Sequence, residues 1–524
     1  MHQTFQARLD MTTPANPASD WHWLERYAAD FGQCQRQLYA AKAAGRDAEK
    51  EKKMLMARFG MTSRQYNALR FELDGKIDSV RALLKLEKTS LMRDIKSLTR
   101  SVKVLNEKCL AIEHDTLRVS RKAFRRLTQD HYHKTQRLTR KTTRLGEVNR
   151  RLAARVPGIC FGTRRLFRQQ FHLQQAGFAN HAEWKKAWLA ARNHQVFSLG
   201  SADETAGNQS CQADVNQDGT LTLSLRLPHH LVVAGSPKHL VFPCVVFPYG
   251  HERIVGELLC NKTKALAYRF HRDTRGWRVF LSFDVEKEAL VTLPSQYGTL
   301  GVDFNEDHLA WAETDRHGNV VDRGIAPLHL KHLSSGQREQ VLSQAVGQLT
   351  ALSLKKQKPL VIEDLDFQNK KATLRELGSA RYARMLSGLM VAKYKAYVEA
   401  KCSRSGVELI KVDPAFTSVA GRVKDATRLG VSVHVASAGM IARKGQSLRE
   451  KLGRSGTVSV PLNGTTVSLP LPARNRGEKT RVTWQAVSRQ LARQCADILR
   501  ARKTAPTSAR KKLPAVCSVR MSRQ

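Results

Sequence analysis

The chain has 524 residues, with 88 Lys and Arg against 46 Asp and Glu, so its formal net charge is +42, while 41% of its residues are apolar. At ~150 residues per domain this length predicts two to four domains with ample cores. An excess of one sign on this scale repels itself unless a polyanion lies beside it, which disfavours acidic small-molecule enzymes and neutral scaffolds and makes nucleic acid the expected partner.

No apolar run reaches the ~18 residues of a spanning helix, so no membrane partner is expected. The opening MHQTFQARLDMTTPANP has no apolar core of a secretory signal. The nine cysteines are scattered singly without a CxxC pair, which predicts reduced thiols in a cytoplasmic protein and neither a zinc ribbon nor a disulfide framework.

Residues 1–18 read as a strand (Thr4 to Leu9) and a linker holding Pro14 and Pro17. Residues 19–194 read as a basic helical lobe. Within it Leu84, Leu91, Leu98, Leu105 and Ile112 recur every seven positions, with Ile95, Val102 and Cys109 between them, the 4-3 spacing of a coiled-coil seam. After Glu113-His114-Asp115 the stripe restarts at Phe124, His131, Leu138, Leu145 and Leu152, which predicts an antiparallel helical hairpin. From Arg118 to Arg155 thirteen Lys and Arg face two acids, Asp130 and Glu147. A solvated face mixes signs; this one points to phosphate. Arg118, Arg121, Lys122, Arg125, Arg126, Arg137, Arg140, Lys141 and Arg144 are its candidate nucleic-acid contacts.

Residues 195–292 change to a period of two, with strands over 221–227, 240–247, 266–271 and 277–285 broken by turns such as Asp218-Gly219, and are expected to form a small β-barrel, with a sandwich as the other solution. In residues 293–455 three strands (300–305, 308–314, 319–323) precede a helix (334–354), an apolar strand ending in Glu363-Asp364, a long helix (379–403), a strand (407–412) and a helix (434–443). That order describes a ribonuclease H-like α/β core. Residues 456–524 read as a hairpin and a basic tail that folds on meeting phosphate; fourteen Lys and Arg there face Glu478 and Asp497. The whole is a multidomain α+β chain.

In such a core Asp303, in GVDFNED, and Glu363, in PLVIEDLDF, end neighbouring strands. Acids embedded in apolar strands are costly unless paired or metal-bound. Two converging carboxylates suit Mg²⁺ or Mn²⁺, which activate water and stabilise a leaving oxygen in phosphodiester hydrolysis.

These segments resemble the RuvC nuclease domain of the transposon-encoded TnpB (OrfB) family and of the related type V CRISPR effectors. GVDFNEDHLAWAETDRHGNVV resembles that family's first motif, PLVIEDLDF its second, VELIKVDPAFTSVAGRVK the stretch leading to its zinc ribbon, and HVASAGMIARKG its third motif. The resemblance implies a structured guide RNA, a target DNA selected by base pairing, a transposon-encoded context, and cleavage by a metal-dependent endonuclease. Two departures stand out. About a dozen residues without cysteine follow Ser418, so the zinc ribbon is expected to be deleted. The third motif's Asp falls on Ser432 or His434; His434 could serve as ligand or water-orienting group, making Asp303, Glu363 and His434 the expected catalytic and metal-binding set. The alternatives are a cleavage-impaired RNA-guided DNA-binding protein of the same architecture, and an actin-like ATPase fold, which the lack of a Gly-rich phosphate loop and the +42 charge oppose.

Overall fold

Helical periodicity governs the first part of the chain and strand alternation the rest. A computed structural model describes residues 2–9, 18–204, 207–259, 264–285, 288–330, 332–365, 390–452, 456–462, 465–472 and 480–504, and divides into two units, Met1–Glu286 and Lys287–Gln524.

In the first unit, β1 (His2–Arg8) is followed by α1 (Ala18–Ala44), α2 (Ala48–Phe59), α3 (Ser63–Glu113) and α4 (Arg121–Ala153). Thr62 and Gln65 form a reciprocal capping box at the start of α3, a 51-residue helix. The predicted hairpin is present: Leu84, Leu91 and Leu98 are buried on α3 and Val148 on α4, with Leu145 and Leu152 packed alongside. Arg144 Nε donates to Glu87 at 2.8 Å and Lys141 Nζ to the buried Asp94, one crossing above the other. Arg118 lies in the turn before α4 rather than on it.

Then come α5 (Arg164–Gln169), α6 (His181–Arg192), β2 (Gln195–Ser198), β3 (Cys211–Val215), β4 (Leu221–Arg226), α7 (His229–Val233), β5 (His239–Val245), α8 (His251–Leu259), β6 (Ala267–Asp273) and β7 (Gly276–Asp284). β1 pairs with β7 along its whole length, from His2↔Asp284 to Arg8↔Arg278. The expected closed barrel is not formed among the described residues. The strands make two sheets, β1-β7-β6-β2 and β3-β4-β5, because no ladder joins their edges and α7 and α8 interrupt the succession of strands. Phe242 of β5 and Phe270 of β6 meet between the sheets, ring centroids 5.4 Å apart, over a core shared with α1 and α3.

The second unit holds β8 (Leu300–Phe304), β9 (His308–Thr314), β10 (Val320–Pro327), α9 (Ser335–Lys356), β11 (Leu360–Glu363), α10 (Val391–Arg404), β12 (Leu409–Val412), α11 (Thr417–Gly421), a π-helical turn (Arg422–Ala426), α12 (Val433–Gly445), β13 (Thr457–Leu462), β14 (Thr465–Pro470) and α13 (Thr480–Thr504). The sheet order is β10-β9-β8-β11-β12, antiparallel through β8 and parallel from β8 to β12. This is the strand order expected of a ribonuclease H-like core. The first part of the helix expected from 379 lies outside the described residues. The basic tail is helical rather than unstructured over Thr480–Thr504: Trp484, Val487 and Leu491 are buried beside Val460 and Leu469 of the hairpin and Val419 of α11.

Small residues let α12 lie directly on the sheet. A Cβ at Gly301 would come within 2.2 Å of Ala438 O and 2.4 Å of Ala442 N, both backbone atoms. Neither can yield without moving α12. Gly301→Ala should therefore cost about 1–3 kcal/mol or more, whereas Gly146→Ala in α4, whose Cβ would meet nothing, should stabilise by about 0.5–1 kcal/mol. Urea unfolding of the two variants checks both signs.

Candidate active site

Parallel pairing of β8 with β11 runs Leu300↔Leu360, Gly301↔Val361 and Val302↔Ile362, so Asp303 and Glu363 are the next residues on adjacent strands. Asp303 is buried, at 7% exposure, although a carboxylate is the group least suited to burial without a partner. The fields of both acids reach Tyr394 on α10. Burial first, then the Asp303 carboxylate, Cys402 and Glu363, push its hydroxyl far above the ordinary tyrosine range. That buried hydroxyl has no hydrogen-bond partner among the described residues, and its ring stacks on Phe304 at 4.6 Å.

His434 meets this pair from the first turn of α12. Ser432 Oγ is occupied in capping the helix, accepting from Val435 N at 3.3 Å, and His434 Nδ1 lies 3.0 Å from Asp303 Oδ2. Of the two alignments left open by the sequence, His434 is the one that reaches the acid. In the tautomer with its proton on Nδ1, facing the carboxylate, a neutral imidazole presents a lone pair at Nε2. Glu363 Oε1 accepts a hydrogen bond from Thr417 Oγ1, at the start of α11. Lys444, in the last turn of α12, ties the same loop down by donating to Asp413 O at 2.8 Å and Ala415 O at 2.6 Å; burial lowers its pKa, with Asp413 and Glu363 opposing.

Four groups here escaped the sequence reading. Asn305 Nδ2 donates to Asp303 Oδ2 at 3.1 Å. His308 Nδ1 is 2.6 Å from Asp307 Oδ1, its ring 5.1 Å from that of His434 in a T-shaped contact. Burial alone would raise the Asp307 pKa, but His308, with help from His434, holds it below the usual aspartate range. Thr417 is the fourth. The string DFNEDH held the polar residues that could have suggested this network, yet nothing in it told which of them turn toward Asp303.

Two hard oxygen donors on neighbouring strands fit a divalent cation chemically. Among the described residues, however, no group of three or more His, Cys, Asp or Glu is gathered to hold a metal ion, and the seven described cysteines form no disulfide. No described helix is long and apolar enough to cross a membrane.

The candidate nucleic-acid residues divide into two sets. Arg121, Lys122, Arg125, Arg126, Arg137 and Arg140 of α4 are exposed, as is Arg118, 3.6 Å from Asp115. Lys141 and Arg144 are instead engaged with Asp94 and Glu87 of α3.

No family model matches the chain, and no curated protein matches it. Among solved structures, T. thermophilus RuvC in complex with a Holliday junction substrate aligns at 13% identity, covering 28% of this chain and 89% of that one, with a TM-score of 0.21. A CRISPR-Cas12f ternary complex aligns at 12% identity over 86% of this chain and 100% of that one, with a TM-score of 0.20.

Changing Arg121, Lys122, Arg125 and Arg126 together to Gln should weaken nucleic-acid binding and reduce the log–log salt slope by ~0.7–0.9 for each phosphate that is no longer neutralised. Circular dichroism should be unchanged, because these side chains lie off the buried seam. Unchanged affinity and slope would return α4 to the role of a solvated face.

Proposed function

We propose that the second unit is a RuvC-like nuclease site that hydrolyses phosphodiester bonds in DNA with a divalent cation, Mg²⁺ or Mn²⁺. The observation that carries this reading is the adjacency of Asp303 and Glu363 at the ends of two parallel central strands. It is supported by the five-strand order and by the chain's +42 charge.

In this reading Asp303 and Glu363 hold the cation, which supplies Lewis acidity toward a phosphoryl oxygen and lowers the pKa of water. Asn305 and His434 fix the rotamer of Asp303, and Thr417 fixes that of Glu363. His434, held by Asp303 with its proton on Nδ1, presents Nε2 to take a proton from the attacking water. Buried Tyr394, stacked on the half-buried Phe304, keeps water from the back of the two acids, which strengthens their pull on a cation. A structured guide RNA that selects the DNA, carried on the basic first unit, is the finer form of the proposal, with the exposed cations of α4 as contacts and a transposon-encoded context.

A second reading is favoured by one observation: the third position holds an imidazole bonded to Asp303 in place of a third carboxylate. A neutral ligand adds no charge, so metal is held more weakly and the chain could bind guide and target without cutting.

Cleavage of guide-matched DNA in millimolar Mg²⁺ or Mn²⁺ tests both readings. Asp303→Ala and Glu363→Ala should abolish cutting, by more than about a hundredfold, and leave RNA affinity near wild type. His434→Ala should abolish it too, while His434→Asp should preserve or raise it. A wild type that binds its target but never cuts, with activity appearing only in His434→Asp, would leave a guided DNA-binding protein.

A further inference from the structure

Away from the acids, the first unit gathers positive charge in a place where charge is expensive. Lys76 of α3 and Arg269 of β6 share one buried carboxylate, Glu72. Arg36 of α1 meets Arg192 at the end of α6 nearby, and Lys76 both feels the charge of Arg36 and lines one cavity with Arg192. Lys76 Nζ lies 3.4 Å from Glu72 and Arg269 4.0 Å, and no other carboxylate pairs with any of the four among the described residues. Glu72 is already engaged by the amides of Gln35 and Gln195.

Arg36 and Arg192 are held by neutral groups alone. Arg36 Nη1 donates to Arg192 O at 3.3 Å and Asn193 Oδ1 at 3.0 Å. The Arg192 guanidinium lies over the Trp188 ring at 5.4 Å, and its buried Nε has no hydrogen-bond partner. Lys76 sits 6.0 Å over the Phe161 ring and Arg269 5.3 Å over Phe197. Burial pushes Arg36 down to about 10 and lowers Lys76 and Arg192 as well. The surroundings therefore disfavour these charges, and one acid does not balance four of them.

A cavity of about 20 Å³ opens among Gly32, Lys76, Phe161, Gly162, Arg192 and His194. That is room for one oxygen atom and not for a base. Two glycines in its wall allow close packing around it: a Cβ at Gly32 would lie 2.6 Å from Arg192 O, and one at Gly162, where φ is +110°, 2.8 Å from the Trp188 ring.

We propose that this cavity receives a phosphate oxygen of a nucleic-acid backbone, with Arg192 and Lys76 as the primary contacts and Arg36 and Arg269 supplying the surrounding field. An anionic oxygen between Lys76 and Arg192, both of which line the cavity, offsets charge that Glu72 alone does not balance. Phe71, 59% exposed, is stacked on Phe197, and this pairing of cations with aromatic faces is the chemistry by which single strands are held. The inference rests on the nucleic-acid part of the proposed function and is independent of the Asp303 and Glu363 chemistry.

The test is binding of a fluorescein-labelled hairpin RNA to the full chain across a salt series, with thermal unfolding in parallel. Arg192→Gln and Lys76→Gln should each weaken binding about tenfold and lower the salt slope by ~0.7–0.9, while the Tm of the free chain holds or rises because repulsion is relieved. Arg192→Lys should fall between, keeping charge and losing the planar fork. Wild-type affinity and slope in both Gln variants would overturn the pocket and leave the proposed function standing. A fall in Tm of the free variants, with normal binding per folded molecule, would make the cluster structural and overturn it too. Inorganic phosphate that raises the wild-type Tm as far as RNA does, at matched ionic strength, would assign the cavity to the free anion instead. A wild type with no affinity for RNA or DNA would contradict the proposed function along with the pocket.

Discussion

Everything in the second unit hangs on the pairing of β8 with β11. A parallel ladder in the register Leu300↔Leu360 and Val302↔Ile362 is what brings two acids, sixty residues apart in the chain, to one sheet end. A slip of one residue would turn one of them to the opposite face. The register is held from both sides. Leu300, Val302, Leu360 and Ile362 are buried against α9 and α10, while Gly301 admits the backbone of α12. That close approach also delivers His434 to Asp303, so the packing of a small-residue helix on a strand glycine positions part of the candidate chemistry.

The basic first unit follows a different logic. Its long hairpin separates cations that serve the fold from cations left to solvent. Lys141 and Arg144 tie α4 to α3 through Asp94 and Glu87, whereas Arg121 to Arg126 project outward. Arg36, Lys76 and Arg192 are neither kind, being half-buried with Glu72 as the one carboxylate paired among them. Such an arrangement persists when another requirement outweighs its cost in stability, and an anionic partner is the simplest such requirement.

Periodic features were the legible ones. The leucine ladder predicted the hairpin because a seam repeats every seven residues, and the apolar strands of 300–314 and 360–363 predicted the central sheet because buried strands stand out among charged neighbours. The closed barrel failed as an expectation since strand alternation reveals which face is buried but not which edges pair; β2, β3 and α8 passed without a distinct signal. Helix α13 was hidden by its charge, although Trp484, Val487 and Leu491 mark a buried face. In the candidate site, Asp303 and Glu363 could be read because acids after apolar runs are unusual. Asn305, Asp307 and His308 reach it through a turn whose geometry the sequence does not encode in a pattern, and Arg36, Lys76, Arg192 and Arg269 come from four separate elements with no shared motif.

The central claim is that Asp303 and Glu363 act as one cation site. Titration of Mn²⁺ followed by electron paramagnetic resonance measures this without any need for guide or substrate. Wild type should bind Mn²⁺ at a site lost in both Asp303→Asn and Glu363→Gln, each change removing one negative charge and little volume. Equal Mn²⁺ binding by wild type and both variants, or none by any of the three, would contradict the account.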